Sequence, residues 1–138
     1  TCMLTSEQRD LLRIPLIARL SVNDPNGYPH TVPLWFDLDG DDLVIITDRN
    51  TRKVDYLNAD PKASICIGGG EIASGEIGAG WLFKGEGVVQ EDPGYVWLRR
   101  MTYRYESPAA AEKDIESWRT TLDMVIIRFK IHTISKVY

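Results

Sequence analysis

The feature that most restricts the fold of this chain is a series of short apolar runs, each cut off by a tight-turn signal. IARLSV (17–22) ends at NDPNGYP, HTVPLWFDL (30–38) ends at DGDD, and DLVIIT follows. Connections that short join only antiparallel neighbours, because a parallel pair needs a crossover of a dozen or more residues. Asn26-Gly27 is the strongest of these signals, since hairpin turns require positive φ and this pair adopts it readily. The first half of the chain is therefore read as hairpins. Pro33 has no N–H to give to a ladder, which confines its strand to a sheet edge, a bulge or a strand end.

The remaining strands are KASICIG (62–68), WLFKGEGVVQED (81–92) and the closing run MVIIRFKIHTISKVY. Gly85 and Gly87 mark a bulge in the second of these. Helices fill the gaps. SEQRDLLR (6–13) is capped by Thr5 or Ser6 and ended by Pro15. Residues 52–58 form a short helix with Val54 and Leu57 on one face, stopped at Asp60-Pro61. A longer helical region opens at Asp92 or Pro93, is interrupted by Pro108 and resumes over AAAEKDIESWRTT. GGGEIASGEIGAG (68–80) reads as a glycine-rich flexible loop. The chain shows no repeat and no second domain, so residues 1–138 are read as one unit: mainly β with flanking helices, a small antiparallel barrel.

The net charge of −4 and a pI near 5.1 argue against general nucleic-acid binding. No apolar run approaches the roughly 20 residues of a membrane span, and TCMLTSEQRD lacks the regions of a signal peptide. The expected location is cytoplasmic. Cys2 and Cys66 form neither a disulfide framework nor a metal site, and Cys66 reads as a buried thiol. His30 and His132 are solitary, so no zinc site is expected. There is no phosphate loop, no dinucleotide fingerprint and no nucleophile elbow. Asp41-Asp42 lies in a turn, where solvated acids are ordinary. With no catalytic machinery of its own, the chain can be an enzyme only if a cofactor carries the chemistry.

One stretch runs against a basic rule. TDRNTRK (47–53) places Arg49, Arg52 and Lys53 at a helix start, where the backbone dipole is already positive and acids are preferred. Two readings are open. The cations face water, at small cost; or the unpaired N–H groups of the first turn, the cations and the hydroxyls of Thr47 and Thr51 together hold a phosphate. PLWF (33–36) offers a second hint, because an edge strand with a proline leaves backbone groups free to bond the polar rim of a planar ring, with Trp35 as a wall. Leu34 and Phe36 are equally readable as core.

The ordered set ARLSVNDPNGYPHTVPLWF, LVIITDRNTRKVDYLNADPKASI and FKGEGVVQED resembles the pyridoxamine 5′-phosphate oxidase-like family of flavin-binding split barrels, nearest to its small FMN- and deazaflavin-dependent branch. The resemblance implies a six-stranded antiparallel split β-barrel that forms a homodimer, with a cofactor site at the subunit interface. It implies a phosphate held by Thr47, Arg52 and Lys53, and a ring lying along Pro33, Leu34, Trp35 and Ile46. Trp81, Trp97 and Arg104 are candidates for residues lent across the dimer. The implied activity is hydride transfer between FMN, or a deazaflavin coenzyme, and a small organic substrate. The alternative is a flavin- or haem-binding module without turnover. The glycine-rich stretch departs from the family pattern. So does the absence of a substrate-phosphate motif near Val137-Tyr138, and vitamin B6 oxidation is not expected.

Overall fold

The computed structural model describes residues 3–70 and 78–137. Helix α1 (Ser6–Leu12) starts in a reciprocal capping box. Gln8 N–H donates to the Thr5 hydroxyl, and the Gln8 side chain accepts from Thr5 N–H. Strands β1 (Ala18–Asn23) and β2 (Pro29–Leu34) form a hairpin whose turn puts Gly27 at φ 85°. Next come β3 (Asp37–Asp39), β4 (Asp42–Asp48), α2 (Arg52–Ala59), β5 (Lys62–Gly68) and β6 (Gly80–Gln90). After a 3-10 turn at Pro93–Tyr95, α3 (Val96–Tyr105) and α4 (Pro108–Thr121) lead into β7 (Met124–Lys136).

All pairings are antiparallel, in a 7-stranded sheet of order β2-β1-β5-β6-β7-β4-β3. The expected six-strand count is corrected by one, and the sheet is not closed. The stretch read as a single strand leaves the ladder at Trp35-Phe36. Its first part, β2, is one edge of the sheet, and its second part, β3, is the opposite edge. Residues 29–39 therefore tie the two free edges together, and the split of the barrel lies at Trp35-Phe36. Pro33 does sit in an edge strand, opposite Arg19.

Strand alternation sorts the side chains. Ala18, Leu20, Val22, Leu43, Ile45, Ile65, Ile67, Phe83, Ile127, Phe129 and Ile131 point inward and form the main core, closed by Leu12, Leu57 and Phe36. Leu34 packs on this core, as its apolar character suggested. On the other side of β4 and β7, Val44 and Ile126 are covered by Met101 of α3, while Leu98, Ala111 and Ile115 join α3 to α4. Asp92 fixes the start of α3: its buried carboxylate accepts from Trp97 N–H at 3.0 Å and Leu98 N–H at 2.9 Å. Pro108 is the first residue of α4, with Ser107 as its cap.

The bulge is present, but its extra residue is in β7. Lys84 faces Thr133 and Gly85 faces Ile131, so the register shifts by one residue at His132. Gly85 is needed there because a Cβ would fall 1.9 Å from the Lys130 carbonyl oxygen. Of the glycine-rich stretch, Gly68 and Gly80 pair within the β5–β6 ladder, and backbone bonds continue to Gly70 and Gly78. The centre of the expected loop, 71–77, lies outside the described residues. Cys66 is half-buried rather than buried. Gly85→Ala should lower unfolding free energy by about 3 kcal/mol in urea titration, because rigid backbone must move. Gly87→Ala, which meets only Ile127 and Leu57 side chains at 3.2 Å, should cost about 1 kcal/mol or less.

Candidate functional site

The split needs side chains to complete it. Where β2 leaves the ladder, the Phe36 backbone is paired with no strand among the described residues, and α3 supplies partners instead. Tyr105 Oη accepts from Phe36 N–H at 3.1 Å and donates to the Leu16 carbonyl at 2.6 Å. Burial pushes the Tyr105 phenol above its ordinary value, so it remains a protonated donor. Arg104 Nε donates to the Phe36 carbonyl at 2.9 Å, and its remaining nitrogens reach the carbonyls of Leu12, Arg13 and Ile14 at 2.9–3.0 Å. Arg104 thus holds the end of α1, the split and α3 together. Four of its N–H groups are engaged within its own chain.

Beside this clamp an apolar groove of about 400 Å³ opens on the outer side of the sheet, lined by Pro33, Leu34, Trp35 and Ile46, together with Ile17, Asp48, Trp118, Leu122 and Met124. The residues expected to bed a ring are therefore brought together. Trp35 is fixed by stacking on Tyr105 (4.9 Å between centroids, planes 4° apart) and by Trp118 at 5.9 Å. Trp118, Leu122 and Met124 were not anticipated. The signal for Trp118 was available in its helical spacing from Ala111 and Ile115, but nothing local in the sequence links that face to PLWF.

The phosphate residues lie one step away. Alternation turns Thr47 to the opposite face of β4 from Ile46; it is buried, and its hydroxyl donates to the Asp48 carbonyl at 3.3 Å. Thr51 is the N-cap of α2 yet makes no capping bond, because its hydroxyl donates to the Asp48 carbonyl at 2.9 Å. Among the described residues the first N–H groups of α2 have no side-chain cap. Arg49 is not part of this site, since it pairs with Glu91 and with Asp123. Arg52 and Lys53 differ: neither is in an ion pair among the described residues, although most arginines of the chain are. Burial lowers the pKa of Lys53 and the charge of Asp48 partly offsets this. Asp48 joins the two regions, lining the groove while acting on Lys53; its carboxylate accepts from Asn50 N–H and Asp123 N–H.

Trp81 and Trp97 lie away from the groove. Trp81 packs against the main core, with its indole N–H buried and unbonded, and Trp97 packs on the Val44–Met101 cluster under Arg100. His30 packs edge-on against Tyr56, and neither histidine lines the groove. Among the described residues no group of His, Cys, Asp or Glu could hold a metal ion, and no helix is long and apolar enough to cross a membrane.

An open antiparallel sheet whose two edges are bridged by one interrupted strand, with a groove at the split, defines a split-barrel protein. The family model for pyridoxamine 5′-phosphate oxidase matches residues 4–138, and the chain belongs to that family. No curated protein matches it. Among solved structures it is similar to the conserved hypothetical protein Rv2991 from Mycobacterium tuberculosis (TM-score 0.77, 21% identity, 98% of this chain and 84% of that one). It is also similar to an F420 reductase (0.72, 21%, 96% and 98%) and to HutZ, a haem storage protein from Vibrio cholerae (0.73, 15%, 97% and 94%). At these identities the likeness is one of fold.

The clamp makes a direct prediction. Tyr105→Phe keeps the ring stack but strips the partner from Phe36 N–H and Leu16 C=O. It should cost about 1–3 kcal/mol in denaturant unfolding, and hydrogen exchange at Phe36 N–H should accelerate more than exchange in the β5–β6 ladder.

Proposed function

We propose that the chain is an oxidoreductase that binds FMN, or a deazaflavin coenzyme in its place, and transfers hydride to or from a small organic substrate. The observation that carries this reading is the start of α2. Among the described residues it has no side-chain cap and two cations in no ion pair, and Asp48, whose charge acts on Lys53, joins it to an apolar groove. That is the pattern an anionic tail and a planar apolar ring require. Arg52 would grip the phosphate with its guanidinium fork and Lys53 would add a point charge. Thr47 would join them by turning its hydroxyl from the long bond it now makes. Pro33, Leu34, Trp35 and Ile46 would bed the ring and exclude water. The coenzyme, when bound, supplies the hydride chemistry; the protein supplies binding, orientation and a dry wall. FMN ranks first as the more widespread coenzyme. The groove is open to solvent, and a second copy of the chain closing it, in a homodimer, is part of the proposal. The cytoplasm is the proposed location.

A binding module without turnover is the second reading. It is favoured by one observation: among the described residues Asp48 is the only ionisable side chain lining the groove, and its Oδ1 accepts from two backbone N–H groups. No acid or base other than this carboxylate is offered there among the described residues, and in the enzymatic reading a proton comes from solvent or substrate. A haem in this groove would find no imidazole, since His30 and His132 lie elsewhere. The two readings separate on whether bound flavin is reduced by NAD(P)H and reoxidised faster than free flavin.

Replacing both Arg52 and Lys53 with Ala should weaken FMN binding at least a hundredfold in a fluorescence titration while leaving unfolding stability within about 0.5 kcal/mol, as expected for exposed or half-buried cations. Retention of wild-type affinity overturns the assignment. A pH dependence follows from the lowered pKa of Lys53. A phosphate dianion favours the ammonium form, so binding takes up a proton once pH exceeds the free-state pKa, and affinity falls as pH rises through it. The window lies below the ordinary lysine value of 10.5. Lys53→Arg, charged throughout, should flatten that part of the profile.

A further inference from the structure

The chain carries more acids than bases, 20 against 16, and most of its cations are engaged by carboxylates. Cations left without such partners are therefore informative. Two flank the start of α2. Two others, Lys62 of β5 and Lys84 of β6, come together on the uncovered outer face of the sheet, and no ion pair or hydrogen bond reaches either ammonium among the described residues. They border a concavity of about 580 Å³ over β1, β5, β6 and β7, separate from the apolar groove in every lining residue.

Register shows how its floor is built. Ser21 faces Ser64, Ser64 faces Lys84, and Lys84 faces Thr133, so four adjacent strands contribute one row of side chains on the same side of the sheet. Every member of the row donates hydrogen bonds: hydroxyl, hydroxyl, ammonium, hydroxyl. Ser21 is anchored at the end of the row by a 2.6 Å bond to Thr31. Lys62 lies diagonally across from Lys84, at the spacing of roughly 7–8 Å that two-residue offsets give between neighbouring strands. The β7 bulge turns His132 into the same space. Glu86 is the one carboxylate among the lining residues; it stands directly opposite Lys62 in the ladder, and its Oε2 lies 3.5 Å from His132 Nε2, so it tempers the positive charge at the Lys62 end while Lys84 faces Ser64 and Thr133. A row of donors with two ammonium groups over a concave surface suits a ligand rich in acceptors and negatively charged at one end.

We propose that this concavity is a second binding site, for a phosphomonoester of nucleotide or sugar-phosphate size. Lys62 and Lys84 take the phosphate, and the Ser21–Ser64–Thr133 hydroxyls bond the polar body. The site does not depend on the flavin reading, because it shares no residue with the groove or with α2.

The test is calorimetric titration of the full chain with AMP and with ribose 5-phosphate. It is run in the R52A/K53A background so that the other cationic site does not contribute. Binding of either probe, weakened at least tenfold by K62A/K84A and by S64A to a smaller degree, is the expected result. Lys113→Ala removes an exposed lysine of α4, far along the chain from this face, and should leave the affinity unchanged. Uncharged ribose should not bind measurably. The proposal is overturned if neither phosphate probe binds, if K113A weakens binding as much as K62A/K84A, or if a cysteine placed at Ser64 cross-links two copies of the chain and probe binding is absent from that dimer.

Discussion

The backbone of Phe36 is the point on which the rest of the structure hangs. A sheet that must bring its two edges near each other has to let one strand leave the ladder, and leaving exposes an N–H and a carbonyl that would be costly to bury unpaired. Tyr105 and Arg104 take both. The same two side chains reach back to Leu12, Arg13, Ile14 and Leu16, so the segment before β1 is fixed by the helix that fixes the split. Once the split is held, Trp35 has one place to go. It stacks on Tyr105, and the groove acquires a rigid wall. Core and site are consequences of one arrangement, in which α3 serves as the missing neighbour of an interrupted strand.

Electrostatic order follows a comparable logic. Arg128 lies between Asp39 and Asp42, joined by Lys130 at Asp42, so the β3–β4 turn is bound to β7 by charge as well as by the ladder. Arg49, which the sequence groups with Arg52 and Lys53, belongs structurally with these pairs: it links the end of β4 to Glu91 and Asp123. Pairs of this kind at a surface contribute little each, but they define by exclusion which cations are unspent. What separates a structural arginine from a binding one is the presence of carboxylates from distant parts of the chain, which no local window of sequence displays.

That distinction marks how far the sequence could be read. The hairpins, the edge position of Pro33, the short helix after β4 and the break at Pro108 were legible because each rests on local stereochemistry: positive φ at Gly27, a missing N–H, a capping serine. The division of residues 30–38 into two strands was not legible, because Trp35 and Phe36 have good strand propensity and leave the ladder only under the pull of α3. The bulge was placed at the right height from Gly85, yet the extra residue is His132, since a glycine can mark the strand being approached as well as the strand that bends. Of the groove, PLWF was read from its proline-bearing strand and Ile46 from a resemblance. Trp118, Leu122 and Met124 were not, because the α4–β7 corner reaches the split only through tertiary packing.

The placement of Asp48 gives the site its character. Ile46 faces the groove and Thr47 faces inward, so the next outward residue on β4 is the one that stands between the groove and the start of α2. An acid there lowers the positive potential that Arg52 and Lys53 create, and it partly offsets the lowering of the Lys53 pKa by burial. The helix start is thereby a site of moderate rather than maximal attraction for a dianion. A protein that must retain its coenzyme permanently gains from removing such an acid. One that exchanges its coenzyme between turnovers gains from keeping it, because every unit of Coulombic attraction at a half-buried site slows release. On the proposed reading, this charge pattern suits an exchanging site, in which the coenzyme would behave as a co-substrate and the apolar groove, more than the cations, would set which ring is accepted.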